Sequence, residues 1–229
     1  MEIKKRIFGL AFLITAFLLV TILLLGNLLN TERKDYISDQ MRIVDDMNEI
    51  QTYLLMSDVY GQKLACLAFK QKLNEWDNTL WNLGARLERY RSATEEFQTD
   101  PFYLSQKKSF NENQVLYMSF LTKVKKDCDF NTSIISFFYK NSDDCPKCDD
   151  QSFVLTDIKR ELGNEVSIFS FDTDLDINNL RLFVQYYEIG EYPCVVINEQ
   201  KFCGMQDKKF IIRKLCEQSS LSVCEGYAI

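Results

Sequence analysis

Two cysteines separated by two residues, Cys145-Pro146-Lys147-Cys148, constrain this chain more than any other stretch. An apolar run at 134–139 and a short polar loop precede them, and residues with the apolar spacing of an amphipathic helix follow. This order predicts a buried strand, a loop and a helix that starts at the cysteines. A thiol at a helix start meets unpaired N–H groups and the positive end of the helix dipole, which favour its thiolate. The second thiol, one turn later, can close a disulfide with the first.

The residues after this helix extend the pattern. A second apolar run, 166–171, predicts another strand, and Gly163 can end the intervening helix. A strand–helix–strand order predicts parallel strands with a right-handed connection. An acidic turn at 172–176 can cap the next helix, which is predicted over 178–187.

A hairpin and a last helix complete the predicted order. The strand 194–197 follows Tyr192-Pro193, and the turn is predicted at Glu199-Gln200, before a return strand at 201–203. The last helix is predicted to start after Asp207 as its cap. This turn would place Cys203 opposite Val196, so a bond between Cys194 and Cys203 is possible but not favoured.

The chain has eight cysteines, which fits an oxidising compartment in which disulfides persist. Cys216 and Cys224 are close enough in sequence to hold the C-terminal tail, and Cys66 could bond to Cys128. Eight cysteines allow about 105 pairings, so the sequence leaves the connectivity open.

The N-terminus predicts an uncleaved transmembrane anchor over residues 7–29. No residue between Arg6 and Glu32 is charged, and 23 residues of helix span about 35 Å, enough to cross a bilayer core of about 30 Å. Basic residues before the span slightly outnumber those just after it, which favours a cytoplasmic N-terminus. The expected location is therefore the cell membrane, as a single-pass protein with its later domains outside the cytoplasm.

Residues 35–126 predict an all-α helical region, because apolar residues recur at three- and four-residue steps. The clearest stripe consists of Leu73, Trp76, Leu80, Leu83, Leu87 and Tyr90. Such stripes are typical of a core, and a coiled-coil-like seam that makes a homodimer is the alternative. Residues 128–218 form the predicted α/β part, and 219–229 form a tail.

Composition excludes several classes of function. The chain has no histidine, which removes histidine metal sites and histidine general bases. Residues 127–229 carry 18 acidic and 10 basic side chains, a net charge of −8 within a total of −6. An acidic domain argues against nucleic acid as a partner.

The order of elements and two separated motifs resemble the thioredoxin superfamily. The residues that carry the match are Cys145-Pro146-Lys147-Cys148, the segment Tyr187-Glu188-Ile189-Gly190-Glu191-Tyr192-Pro193-Cys194-Val195-Val196-Ile197, and Gly204. Pro193 stands where the family has a proline with a cis peptide bond, beside the cysteine pair. The resemblance covers about residues 130–218, and the chain departs from it at Asp144, where the family usually has tryptophan, and at Cys194, where it has threonine.

The resemblance implies an α/β thioredoxin-like domain behind the helical region and the anchor. It implies a membrane-anchored thiol–disulfide oxidoreductase without a cofactor, which acts on protein thiols and disulfides and needs a redox partner protein. Cys145 would be the nucleophile and Cys148 the resolving thiol, and Tyr192 with Pro193 would bind the substrate. The residues expected next to this site are Pro146, Lys147 and Cys194.

Two other functions stay open from the residues. Cys145, Cys148, Cys194 and Cys203 could bind a metal through thiolates, although the spacing is not that of a zinc ribbon. A thioredoxin-like scaffold without catalysis could instead bind a partner through the helical region.

Overall fold

The computed structural model describes residues 11–26, 48–53, 55–93, 99–128, 130 and 132–226. The chain divides into two compact units, residues 1–48 and residues 49–229. The predicted boundaries of the regions 35–126, 128–218 and 219–229 stay predictions, and residues 35–47 and 227–229 lie outside the described residues.

The predicted transmembrane anchor is wrong. Residues 11–26 form a helix, while residues 7–10 and 27–29 of the predicted span lie outside the described residues. Among the described residues, no helix has both the length and the apolar character that crossing a membrane requires. The predicted single-pass location in the cell membrane is contradicted with it.

The predicted fold class, an α/β domain with a helical region and a membrane helix, is also wrong. About 68% of the described residues are helical, and the strands form one small mixed sheet of four. The structure therefore differs from an α/β domain attached through a helical region to a membrane helix. Most of the compact unit 49–229 is helix, because two long helices accompany the sheet.

The first of those two helices carries the predicted apolar stripe. Helix α1 is Gln62–Ala93 and starts after Gly61, and helix α2 is Pro101–Cys128. Proline suits the first position of α2, since its missing N–H would have had no partner within the helix. The disulfide Cys66–Cys128 joins the start of α1 to the end of α2. Their buried apolar residues include Phe69, Trp76, Leu80, Leu83, Tyr117, Met118, Phe120 and Leu121.

Four strands form a sheet in the order β2-β1-β3-β4. Their bounds are Ser133–Tyr139 for β1, Val166–Asp172 for β2, Cys194–Ile197 for β3 and Gln200–Cys203 for β4. Strand β1 runs parallel to β2 and antiparallel to β3. The predicted parallel pair is therefore confirmed, with helix α3, Cys148–Leu162, as its connection. Helix α4 is Asn178–Tyr186, and helix α5 is Lys208–Cys216, capped by Asp207 as predicted.

The two faces of the sheet have different neighbours. Ile135 and Phe137 of β1 belong to a buried apolar cluster with α3 and α5 residues such as Ile158 and Ile211. Side chains alternate along a strand, so Ser136 and Phe138 lie on the opposite face. There Ser136 Oγ lies 2.9 Å from Met118 Sδ of α2. We call these the α3 face and the α2 face.

Helix α2 also closes the free edge of β2. The side-chain oxygen of Gln114 accepts a hydrogen bond from the Ser170 N–H at 2.9 Å, and that of Asn111 accepts one from the Asp172 N–H at 3.0 Å. An uncovered edge strand would leave such donors free to pair with another chain. These contacts explain why two amide side chains are buried in α2.

The hairpin turn lies one residue earlier than predicted, at Asn198-Glu199. Both residues have positive φ, 43° and 75°, and asparagine tolerates this conformation well. The shift places Cys203 opposite Cys194 instead of Val196, and the two cysteines form a disulfide. The sequence-based expectation that this bond is not favoured was wrong because it rested on the wrong turn.

The structure pairs the remaining cysteines as Cys66–Cys128 and Cys216–Cys224, with sequence separations of 62 and 8. Cross-linking a longer loop removes more entropy from the unfolded chain, so the loop model gives about 4 kcal/mol for the first and about 2.5 kcal/mol for the second. We expect Cys66→Ala/Cys128→Ala to lower the free energy of unfolding in urea more than Cys216→Ala/Cys224→Ala. The reverse order would contradict this account of what holds α1 to α2.

Candidate active site

The candidate site lies where β1 ends and α3 begins. Cys145 and Cys148 form a disulfide with an S–S distance of 2.02 Å and a Cα–Cα distance of 5.4 Å. Helix α3 starts at Cys148, so Cys145 lies in the turn just before it. The Cys148 N–H donates to the Cys145 carbonyl oxygen at 3.1 Å, and the Gln151 N–H donates to that of Lys147 at 3.1 Å. These hydrogen bonds form the turn that contains the disulfide and continue into the first turn of α3.

The loop before Cys145 is ordered by Asn141. Its carbonyl oxygen accepts a hydrogen bond from the Cys145 N–H at 2.9 Å. Its side-chain oxygen accepts from the N–H groups of Asp143 and Asp144, both at 3.0 Å. One asparagine thus sets the path of the chain up to the first cysteine.

Asp174, in the turn after β2, holds Asn141 in place. Its carboxylate accepts hydrogen bonds from the Asn141 N–H at 2.8 Å and from the Asn141 side-chain amide at 3.0 Å. The Lys140 ammonium lies 3.2 Å from the same carboxylate. Burial alone would raise the pKa of Asp174, but these hydrogen bonds and the Lys140 charge outweigh it, and the pKa is lowered.

The role of Asp174 differs from the one that the sequence predicted. The acidic turn 172–176 was expected to cap α4, but Ile177 is the residue at that cap and no side chain bonds there. The turn instead joins the two loops at the carboxyl ends of β1 and β2. Because the carboxyl ends of neighbouring parallel strands lie at the same edge of a sheet, the sequence could have predicted that the two loops meet. It could not have predicted which residues make the contact.

Both cysteines are buried in the oxidised state. Cys145 is 2% exposed and Cys148 is 3% exposed, and both belong to the apolar cluster on the α3 face. Exposed residues flank them on both sides, namely Asp143, Asp144, Pro146, Lys147, Asp149 and Asp150. The disulfide therefore lies just beneath a polar surface that is mostly acidic.

The predicted substrate-binding residues lie at the same end of the sheet. The Tyr192–Pro193 peptide bond is cis, and Pro193 is buried directly before β3. Because β3 is antiparallel to β1, its first residue pairs with Phe138 near the end of β1. Tyr192 packs against the cluster that contains both cysteines, and Lys140 Nζ lies 5.5 Å from the centre of its ring.

Cys194 is the predicted neighbour that the structure places elsewhere. It pairs with Phe138 in the sheet, so its side chain lies on the α2 face, and it is bonded to Cys203. The four cysteines considered for a metal site thus form two separate disulfides. Across the part of the chain that the structure describes, no group of histidine, cysteine or acidic residues is arranged to hold a metal ion.

The two long helices reach this site, which the sequence did not indicate. The Arg91 guanidinium near the end of α1 bonds to Glu88 and lies 3.9 Å from the Asp149 carboxylate in the first turn of α3. Farther along, the buried Lys159 of α3 pairs with Asp77 of α1 and donates to the carbonyl oxygens of Gly163 and Val166 at 2.9 and 2.8 Å. The helix that carries Cys148 is therefore tied to α1 at both ends.

Comparison with known proteins gives partial similarities. No family model matches the chain, and no curated protein matches it. One similar solved structure, described as a malarial protein, is 15% identical with a TM-score of 0.33 and covers 39% of this chain and 98% of its own. Another is thioredoxin-2, described as a component of malaria parasite protein secretion machinery, at 15% identity and a TM-score of 0.33, covering 38% of this chain and 84% of its own.

The contacts of Asp174 generate a prediction about the loop before Cys145. Asp174→Ala removes the carboxylate oxygen that accepts from both the N–H and the side-chain amide of Asn141. We therefore expect the amides of Asp143, Asp144 and Cys145 to exchange with deuterium about tenfold faster, or about 1.4 kcal/mol. Asp176→Ala is the matched control, because the Asp176 carboxylate is 84% exposed and forms an ion pair with the exposed Arg181, at 3.3 Å. Equal exchange in the two variants would show that Asp174 does not order the loop.

The same carboxylate gives a pH dependence. Its pKa is lower in the folded than in the unfolded protein, so its stabilisation is full above the unfolded value, near 3.8. That stabilisation is lost as pH falls through the lowered folded value. The stability difference between the wild type and Asp174→Ala should thus stay constant from neutral pH to about pH 5 and shrink at lower pH, as urea unfolding can measure.

Proposed function

We propose that this chain is a thiol–disulfide oxidoreductase that exchanges disulfides with protein substrates through Cys145 and Cys148. The observation that carries the proposal is a disulfide between two cysteines three residues apart, at the junction of a buried strand and a helix start. The segment Tyr192-Pro193 supports it, because it lies at the same end of the sheet and Tyr192 packs against the cluster that contains both cysteines. A redox partner protein would return the pair to its starting state.

The reaction needs only the two thiols and the substrate disulfide. In the reduced protein the Cys145 thiolate attacks one substrate sulfur, the substrate S–S bond breaks, and the departing sulfur leaves as a thiolate that takes a proton. The Cys148 thiolate then attacks the Cys145 sulfur and displaces the second substrate thiol. Two electrons pass from the pair to the substrate, and the reverse sequence oxidises a substrate dithiol.

Opposing charges act on the attacking thiolate. The start of α3 and Lys147 favour it, whereas the carboxylates of Asp143, Asp144, Asp149 and Asp150 disfavour it. Arg91, 3.9 Å from Asp149, offsets part of that negative charge. The balance of these charges would set how strongly the pair oxidises or reduces its substrates.

The acidic surface also bears on the choice of substrate. Exposed carboxylates surround the disulfide, so a substrate segment with neutral or basic residues beside its cysteine would approach more readily than an acidic one. Tyr192 and Pro193 would bind that segment, with Pro146 and Lys147 on the other side.

Trapping of the intermediate tests the proposal. In Cys148→Ser the second step is blocked, so the protein should accumulate mixed disulfides with substrate proteins through Cys145, visible as adducts that a reductant releases. Cys145→Ser should form none and should lose exchange activity entirely. Cys216→Ser/Cys224→Ser is the control, because it removes a disulfide outside the site, and its activity should stay near that of the wild type.

Other outcomes separate the alternative functions. Activity that survives Cys145→Ser would refute the assignment of the nucleophile. Biological function that survives loss of both thiols would indicate a non-catalytic scaffold, and zinc bound to the reduced protein would indicate a thiolate metal site.

A further inference from the structure

A cavity of about 560 Å³ lies on the α2 face of the sheet, opposite the cysteine pair. Its volume is within the range of about 300–1,000 Å³ that is usual for small-molecule sites. Residues of α2, α4, the sheet and the β3–β4 turn surround it. It takes no part in the proposed exchange reaction, so whatever it binds would be an additional function.

The floor and one wall of the cavity are apolar. Ile134 of β1 and Val196 of β3 lie on the floor beside Met118 of α2. The rings of Phe183 and Tyr187 form the wall, stacked on each other with an interplanar angle of 15°. Such surfaces favour an apolar or aromatic body in a ligand.

Lys125 supplies a positive charge at the polar end of the cavity. Its ammonium group is half-buried and donates a hydrogen bond to the side-chain oxygen of Asn198 at 3.1 Å. That oxygen also accepts from the Ile134 N–H at 3.0 Å, which fixes its position. Within the described residues, no carboxylate lies within ion-pair distance of Lys125. Its burial lowers the pKa of the ammonium, and the charge of Glu199 raises it in part.

The neighbouring Lys126 has a different environment. Its ammonium pairs with the Glu199 carboxylate at 3.0 Å, and its side chain is 67% exposed. Of the two lysines that line the cavity, Lys126 is therefore paired with a carboxylate, whereas Lys125 has none within ion-pair distance among the described residues. The negative end of the α2 dipole lies nearby, because α2 ends at Cys128, and it would disfavour a dianion.

We propose that this cavity binds a small amphipathic carboxylate, with its apolar body on the floor formed by Met118, Ile134 and Val196 and its carboxylate on Lys125. One uncompensated ammonium matches one negative charge, and the apolar area next to it excludes strongly hydrated ions. The site lies on the other face of the sheet from Cys145 and Cys148, so it is independent of the exchange reaction.

The test uses the full chain and two probes of the same shape, 4-phenylbutyrate and its neutral amide, 4-phenylbutanamide. We expect saturable one-to-one binding of the carboxylate by calorimetry, about tenfold tighter than that of the amide. In Lys125→Met the carboxylate should bind about tenfold more weakly while the amide is unaffected. Lys126→Met, the matched control, should bind both probes nearly as the wild type does.

A third variant tests the position of the site without changing a charge. Ser119 is an exposed residue of α2 at the rim of the cavity, so Ser119→Trp keeps every charge and should block both probes. Three results would overturn the proposal: no saturable binding of 4-phenylbutyrate, equal affinity for the acid and the amide, or an equal loss in Lys126→Met. Exchange activity of the cysteine pair should be unchanged in all three variants.

Discussion

Strand β1 lies at the centre of the sheet, and its pairing determines where the loop to Cys145 begins. It pairs with β2 on one edge and with β3 on the other, and six of its seven residues are buried. The position of its carboxyl end is therefore fixed by strand pairing, and so is the point at which the following loop leaves the sheet. Asn141 and Asp174 then direct that loop, so that Cys145 enters the turn before α3 within reach of Cys148. The disulfide is a consequence of strand pairing several residues away.

The long helices give the sheet properties that four short strands would lack. Helix α2 covers one face and supplies two amide side chains to the free edge of β2. Helix α1 ties α3 through Lys159 and Asp77, and it places Arg91 near the first turn of α3. The two faces then differ, with the cysteine pair where β1 meets α3 and a cavity lined by the half-buried Lys125 beneath α2. A mainly helical unit thus presents two separate candidate sites.

The sequence predicted the strands because β1 and β2 are short apolar runs, and it predicted the start of α5 because Asp207 is a clear cap. It misplaced the hairpin turn by one residue, since only the pairing of β3 with β4 in the folded sheet selects a turn at Asn198-Glu199 over one at Glu199-Gln200. It could not predict the contact of Asp174 with Asn141, or of Lys125 with Asn198, because these side chains are 33 and 73 residues apart. Apolar composition over 7–29 also misled, since no helix among the described residues has both the length and the apolar character to cross a membrane. The periodicity of apolar residues indicates which side chains are buried, whereas a functional site depends on contacts between residues that are distant in sequence.

We propose that Cys145 and Cys148 cycle between disulfide and dithiol while the other three disulfides stay closed. An equilibrium titration in glutathione buffers, read by alkylation and mass mapping of each cysteine peptide, tests this proposal. We expect the Cys145–Cys148 pair to open reversibly at a less reducing poise than the pairs Cys66–Cys128, Cys194–Cys203 and Cys216–Cys224. If this pair instead stays closed until the others have opened, or opens only when the protein unfolds, it is a structural cross-link and the proposed exchange is refuted.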